Sequence, residues 1–105
     1  MEAGLIVIVS FISPYRAERM LARERVGSDE FLEIFVDTPI EECRRRDPKG
    51  LYEKADSGQI RNFTGVDAPY EEPLDPEIRL RTLEAPPEEL AAQVIEDLRG
   101  RGIIT

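Results

Sequence analysis

Histidine is missing from this chain, and cysteine occurs once, at Cys43, in 105 residues. Zinc sites of ordinary His/Cys composition and Ser-His or Cys-His nucleophilic catalysis are thereby excluded. A lone thiol allows no intrachain disulfide, which suits a reducing compartment. No apolar run reaches the ~20 residues that span a membrane. The N-terminus has neither the charged start nor the cleavage site of a secretory signal, so the expected location is cytoplasmic. Positive charge is in deficit as well, with 14 Lys and Arg against 22 Asp and Glu and a formal net charge of −8. That balance argues against non-specific binding to nucleic acid or to an anionic membrane surface. No internal repeat or low-complexity tract is present.

The remainder is globular in composition, 41% hydrophobic and 34% charged, and its length suits one domain, 1–105, with a modest core. Residues 5–11, "LIVIVSF", are apolar without alternation and predict a strand buried on both faces. Ser13 and Pro14 predict a helix start, with Ser13 as N-cap, and Ala17, Met20 and Leu21 as its apolar stripe; the end falls near Val26 and Gly27. Residues 31–36, "FLEIFV", predict a second strand. Thr38, Pro39 and Glu41 have the spacing of a capping box for a short helix reaching about Arg46. Residues 77–82, "EIRLRT", alternate like a third strand. Pro86 and Pro87 introduce a last helix with Leu90, Ala91, Val94, Ile95 and Leu98 as its buried face and Gly100 as its C-terminal cap. The order is that of an α/β fold with a mainly parallel sheet. Ser13, Asp37 and Thr82 then fall at strand ends facing one crevice, where such sheets take ligands.

Between the second helix and the third strand, residues 47–73, "DPKGLYEKADSGQIRNFTGVDAPYEEP", form an unusually long connection. Connections of that length without regular structure are commonly functional covers or linkers. Three segments carry chemistry-bearing residues. "FISPYRAER" offers a helix N-terminus with Arg16 and Arg19 for an anion, or only a cap with solvated arginines. "RRRDPKGLY" offers Lys49 as a point charge for phosphate or sulfate, or only a basic helix end. "RNFTGVDAPYE" offers Phe63 as a stacking face for a base, or only an anchor for the loop.

Together, "GLIVIVSFISPYRAER" and "FVDTPIEECRRRDPKGLYEKADSGQIRNFTGVDAPYEEP", in this order, closely resemble adenylylsulfate kinase. The resemblance implies a P-loop kinase-like α/β fold, a parallel sheet flanked by helices. It implies transfer of the ATP γ-phosphate to the 3′-hydroxyl of adenosine 5′-phosphosulfate in sulfate activation, with Mg²⁺ accompanying ATP. By the same resemblance Ile12, Ser13, Lys49, Asn62 and Phe63 bind the phosphosulfate nucleotide, Phe63 by stacking on adenine. Ser13 matches a phosphoserine position, direct transfer between the nucleotides being the competing route. Ala85 matches a position near the ATP adenine, and 49–70 would be the lid. No G-x-x-x-x-G-K-[ST] motif occurs among the 105 residues, and the family depends on one. The chain is thus expected to be N-terminally truncated relative to the family and inactive by itself; its open strand edges either pair directly with each other, or are covered by a homo-oligomer or a complementing chain, or leave the fold unstable. The alternative is a non-catalytic nucleotide-binding module or pseudokinase-like subunit docking on an intact kinase.

Overall fold

A computed structural model describes residues 5–66 and 68–105. Along the chain come α1 (Arg16–Val26), a 3-10 turn (Ser28–Glu30), β1 (Ile34–Asp37), α2 (Ile40–Arg46), α3 (Leu51–Asp56), β2 (Ile78–Arg81) and α4 (Pro87–Gly100). β1 and β2 pair in parallel, with Ile34 opposite Ile78 and Asp37 opposite Arg81. The arrangement is α/β with helices flanking a parallel sheet, as expected from the alternation of strand and helix patterns.

The register sorts the side chains. Ile34, Val36, Ile78 and Leu80 share one face of the sheet, since partners in register point the same way and side chains alternate along a strand. α4 lies over the β2 half of that face, burying Ile78, Leu80 and Leu90 with Ala85 and Val94 against them. The β1 half stays open: Val36 is 60% exposed. On the other face Phe35 is buried, stacked at 6.3 Å on Tyr70 and lying 5.5 Å beneath the Arg79 guanidinium.

Several sequence expectations are corrected. Residues 5–11 form no strand and lie open, Ile8 at 88% exposure. A doubly buried strand needs neighbours, and the two strands among the described residues pair with each other. Ser13 does not cap α1; Tyr15 holds the cap position without a side-chain bond. Thr38 and Glu41 form no capping box, because Pro39 is the cap residue of α2. Gly100 is the last residue of α4, and Gly102 with φ of 74° takes the left-handed position instead. Its N–H reaches Arg99 O at 3.0 Å and the Ile103 N–H reaches Leu98 O at 3.0 Å, the paired bonds of a Schellman ending. On α4, Leu90 is buried whereas Ala91 and Ile95 face outward, because a two-stranded sheet covers only a narrow stripe. No residue of α1 is buried; Met20 and Leu21 are exposed, so polar contacts hold that helix.

Candidate functional site

The parallel pairing brings the carboxyl ends of β1 and β2 to one edge, the edge at which α/β sheets bind ligands. There the hydroxyls of Thr38 and Thr82 lie 2.6 Å apart, and the Thr82 N–H extends the ladder to Asp37 O at 3.3 Å. The Asp37 carboxylate accepts from Arg79 Nε at 2.8 Å, so this carboxylate is engaged. Just past β2, half-buried Ala85 packs on the core. It helps line a shallow cavity of about 130 Å³ with Arg79, Arg81, Glu84, Leu90 and Gln93.

The long connection is more ordered than its composition suggests. Asp47 to Gly50 is a tight turn closed by Gly50 N–H to Asp47 O at 3.0 Å. Asp47 also accepts the Tyr52 N–H at 3.1 Å and the Glu53 N–H at 3.3 Å. These are amides of the first turn of α3 that have no partner inside the helix. Lys49 sits exposed on the turn. α3 carries Tyr52 edge-on to Phe63, ring centres 4.9 Å apart, with the Arg44 guanidinium 5.7 Å from the Tyr52 ring. Burial, then the neighbouring Cys43 thiol, raises the Tyr52 pKa. Beyond Phe63, its carbonyl accepts N–H bonds from Val66 at 3.0 Å and Ala68 at 3.2 Å. Gly65 within that turn has φ of 90°, where a side chain is strained, and a Cβ there would lie 2.6 Å from Ile40 Cδ1, which would have to move aside. Asn62 is exposed with φ of 55°, a left-handed conformation that asparagine tolerates better than most residues.

Ser13 is not the N-cap of α1. Its φ is 44°, and the α1 amide left open is served from far along the chain. The Arg16 N–H donates to Glu71 Oε1 at 2.8 Å, and the Glu71 N–H donates to Pro14 O at 2.8 Å. Arg16 Nε reaches Glu72 O at 2.7 Å. Arg19 donates to Ser13 O and to Glu71 O, each at 2.5 Å, and to Glu33 Oε2 at 3.0 Å. Arg19, only 11% exposed, is therefore withdrawn from solvent, whereas Arg16 stays exposed; both lash the start of α1 to the end of the long connection. Ile12, one residue before Ser13, is exposed.

A cavity of about 540 Å³ lies between α1 and residues 73–77. Glu33 and Glu77 in its wall immediately precede β1 and β2, so it opens at the amino ends of the strands, away from the ligand edge. Glu77 binds Arg23 at 2.6 Å and accepts the Glu33 N–H at 2.6 Å. Burial alone would raise its carboxyl pKa, but these partners together outweigh burial and lower it.

Among the described residues, no group of three or more His, Cys, Asp or Glu side chains could hold a metal ion. The carboxylate at the ligand edge is also occupied by Arg79. The residues present thus do not fit a Mg²⁺ cradle. Sequence reading missed Glu71 as the partner of α1 and the Thr38–Thr82 contact. The first joins residues 55 apart in sequence, a pairing that no local pattern signals; the second could have been suspected from two threonines at the ends of adjacent parallel strands.

Residues 1–81 match the family described as adenylylsulphate kinase. Curated relatives include the bifunctional enzyme NodQ of Rhizobium tropici, 62% identical over 100 residues, covering 95% of this chain and 16% of that protein. The bifunctional enzyme CysN/CysC of Xylella fastidiosa is 55% identical over 101 residues, covering 96% of this chain and 16% of that protein. Among solved structures, the Mycobacterium tuberculosis APS kinase CysC in complex with AMPPNP and APS superposes with a TM-score of 0.83 at 46% identity, over 90% of this chain and 55% of that one.

Proposed function

We propose, on the premise that the chain belongs to the adenylylsulphate kinase family, that it forms the phosphosulfate-nucleotide side of a sulfate-activating kinase. The chain spans 16% of the length of the bifunctional relatives cited above, so the complete activity is part of the proposal. In that activity the 3′-oxygen of adenosine 5′-phosphosulfate forms a bond to the γ-phosphorus of ATP. The bond to ADP breaks, and the hydroxyl proton is released. Binding of the acceptor nucleotide falls to this chain's residues. Lys49, exposed on its turn, supplies charge for the phosphosulfate. Phe63, fixed edge-on by Tyr52, supplies a face for adenine, with Asn62 beside it. Ile12 and Ser13 line the pocket from the far side, Ser13 either accepting the phosphoryl group or only binding. Ala85, in its shallow cavity past β2, borders the ATP adenine. Residues 49–70 act as the lid of one domain, 1–105.

Mg²⁺ with ATP would supply charge neutralisation at the transferring phosphates. No phosphate-cradling glycine-rich loop occurs in these 105 residues, and we assign this chain no step through the metal. Among the described residues no helix is long and apolar enough to cross a membrane. We place the protein in the cytoplasm, where ATP is available and a lone Cys43 stays reduced.

The observation that carries this reading is the superposition, at 46% identity and a TM-score of 0.83, on a kinase described with AMPPNP and APS bound. Calorimetric titration of the purified chain with adenosine 5′-phosphosulfate, alongside a turnover assay with Mg-ATP, tests it. Binding without turnover is expected; no binding, or turnover by the 105-residue chain alone, overturns it. A second reading, a non-catalytic module docking on an intact kinase or on its own copy, is favoured by the open apolar segment 5–12.

A further inference from the structure

We propose that Arg19 is a positioning residue that couples the hinge of the 49–70 lid to Ser13. The proposal rests on the reading of 49–70 as a lid over a nucleotide, and it deepens that reading.

The Arg19 side chain is 11% exposed, and its donors point in three directions. One terminal nitrogen holds Ser13 O at 2.5 Å. The other holds Glu71 O, also at 2.5 Å, the first residue past Tyr70. Nε pairs with Glu33 at 3.0 Å, which offsets the cost of withdrawing the charge from water. The Tyr70 ring lies 5.7 Å from the guanidinium carbon and also stacks on Phe35 of β1, so the hinge is referenced to the sheet. Ser13 has φ of 44°, which costs a non-glycine residue energy unless its surroundings hold it. Arg19 grips the carbonyl of that residue, and the Glu71 N–H grips the next carbonyl, Pro14 O, at 2.8 Å. One planar fork therefore sets both the strained turn at Ser13 and the point where the lid rejoins the body. A displacement of the hinge must either break a bond to Arg19 or move Ser13.

A lysine at this position keeps a charge for Glu33 but cannot serve three acceptors in fixed directions. The test compares Arg19→Lys with Glu33→Gln in the full chain. It uses amide hydrogen exchange without ligand, and calorimetric titration with adenosine 5′-phosphosulfate. Arg19→Lys is expected to speed exchange at the Glu71 and Arg16 amides, to leave the β1–β2 ladder amides unchanged, and to weaken binding roughly tenfold, a moderate coupling between linked sites. Glu33→Gln should leave affinity within about twofold, since it removes charge balance but not the fork. Wild-type affinity in Arg19→Lys, unchanged exchange at Glu71, or loss of ladder protection in step with affinity would each overturn the coupling. If the wild-type chain binds no nucleotide, the lid reading fails; the exchange arm still judges the fork at Ser13.

Discussion

Phe63 and Lys49 occupy the same connection but are held in different ways, and their substitutions should separate. Phe63 is half-buried against Tyr52, whereas Lys49 stands on an exposed turn. Phe63→Leu should weaken phosphosulfate-nucleotide binding by about 1–3 kcal/mol, the scale of a base–aromatic stack. Its edge contact with Tyr52 is worth only about 0.5–1.5 kcal/mol, so any loss of melting temperature should be small. Lys49→Met should also weaken binding, by an amount that shrinks as salt rises, with melting temperature unchanged. Titrations at low and high salt beside thermal melts decide both; a lowered melt with unchanged affinity at Phe63 would leave it a mere anchor. Legibility at this scale followed sequence distance. The glycine ending of α4 was read two residues early, at Gly100 for Gly102, and the end of α1 at Gly27 could be read locally. The partner of the Arg16 amide could not, because Glu71 is brought there by the whole course of the connection. Ser13 next to proline mimicked a cap while its backbone was committed to another conformation.

At the scale of elements, α4 and α1 are secured by opposite means. α4 is secured by apolar burial on β2, through Leu90 above all. Leu90→Ala should cost about 2–4 kcal/mol, and Ile95→Ala, at an exposed position, well under 1 kcal/mol; chemical denaturation of both variants checks this. α1 is secured by arginine contacts, Arg23 with Glu77 among them. The Glu77 carboxyl is lowered from its ordinary value of 4.5. A depressed carboxyl stabilises the fold above its unfolded pKa, and that contribution disappears as pH falls through the folded value. Melting temperature should therefore drop more steeply on acidification below about pH 4.5 in the wild type than in Glu77→Gln; parallel slopes would remove Glu77 from the account. The periodic segments that became α4, β1 and β2 were legible because enough of each pattern is satisfied within the described residues; α1 was legible from helical spacing alone, its apolar stripe staying exposed. "LIVIVSF" was not, because an apolar run states what a segment needs and not whether a neighbour is there to supply it. α3 was missed because six residues hold too little periodicity to stand out from a loop.

The whole molecule is looser than its length implies. Its radius of gyration is 15.8 Å, against about 13 Å for a compact domain of this length. Seven large apolar side chains between Leu5 and Ile12 are at least half exposed. They present on the order of 800 Å², the area one partner contributes to a standard interface. Sedimentation velocity should show association that strengthens with concentration, and Ile8→Lys should reduce it. A wild-type monomer at every concentration would remove the segment as a contact surface.

Among the described residues the buried apolar core amounts to Phe35, Ile78, Leu80 and Leu90, together with Ala55 of α3. The heat capacity and enthalpy of unfolding both scale with surface newly exposed to water, so a chain that hides so little has little to release on heating. Scanning calorimetry of the dilute chain should give a broad transition carrying well under the about 60–80 kcal/mol of an ordinary 100-residue domain. The phosphosulfate nucleotide, by closing 49–70 over itself, should raise and sharpen that transition. On this view the acceptor nucleotide supplies part of the interior that the polypeptide lacks.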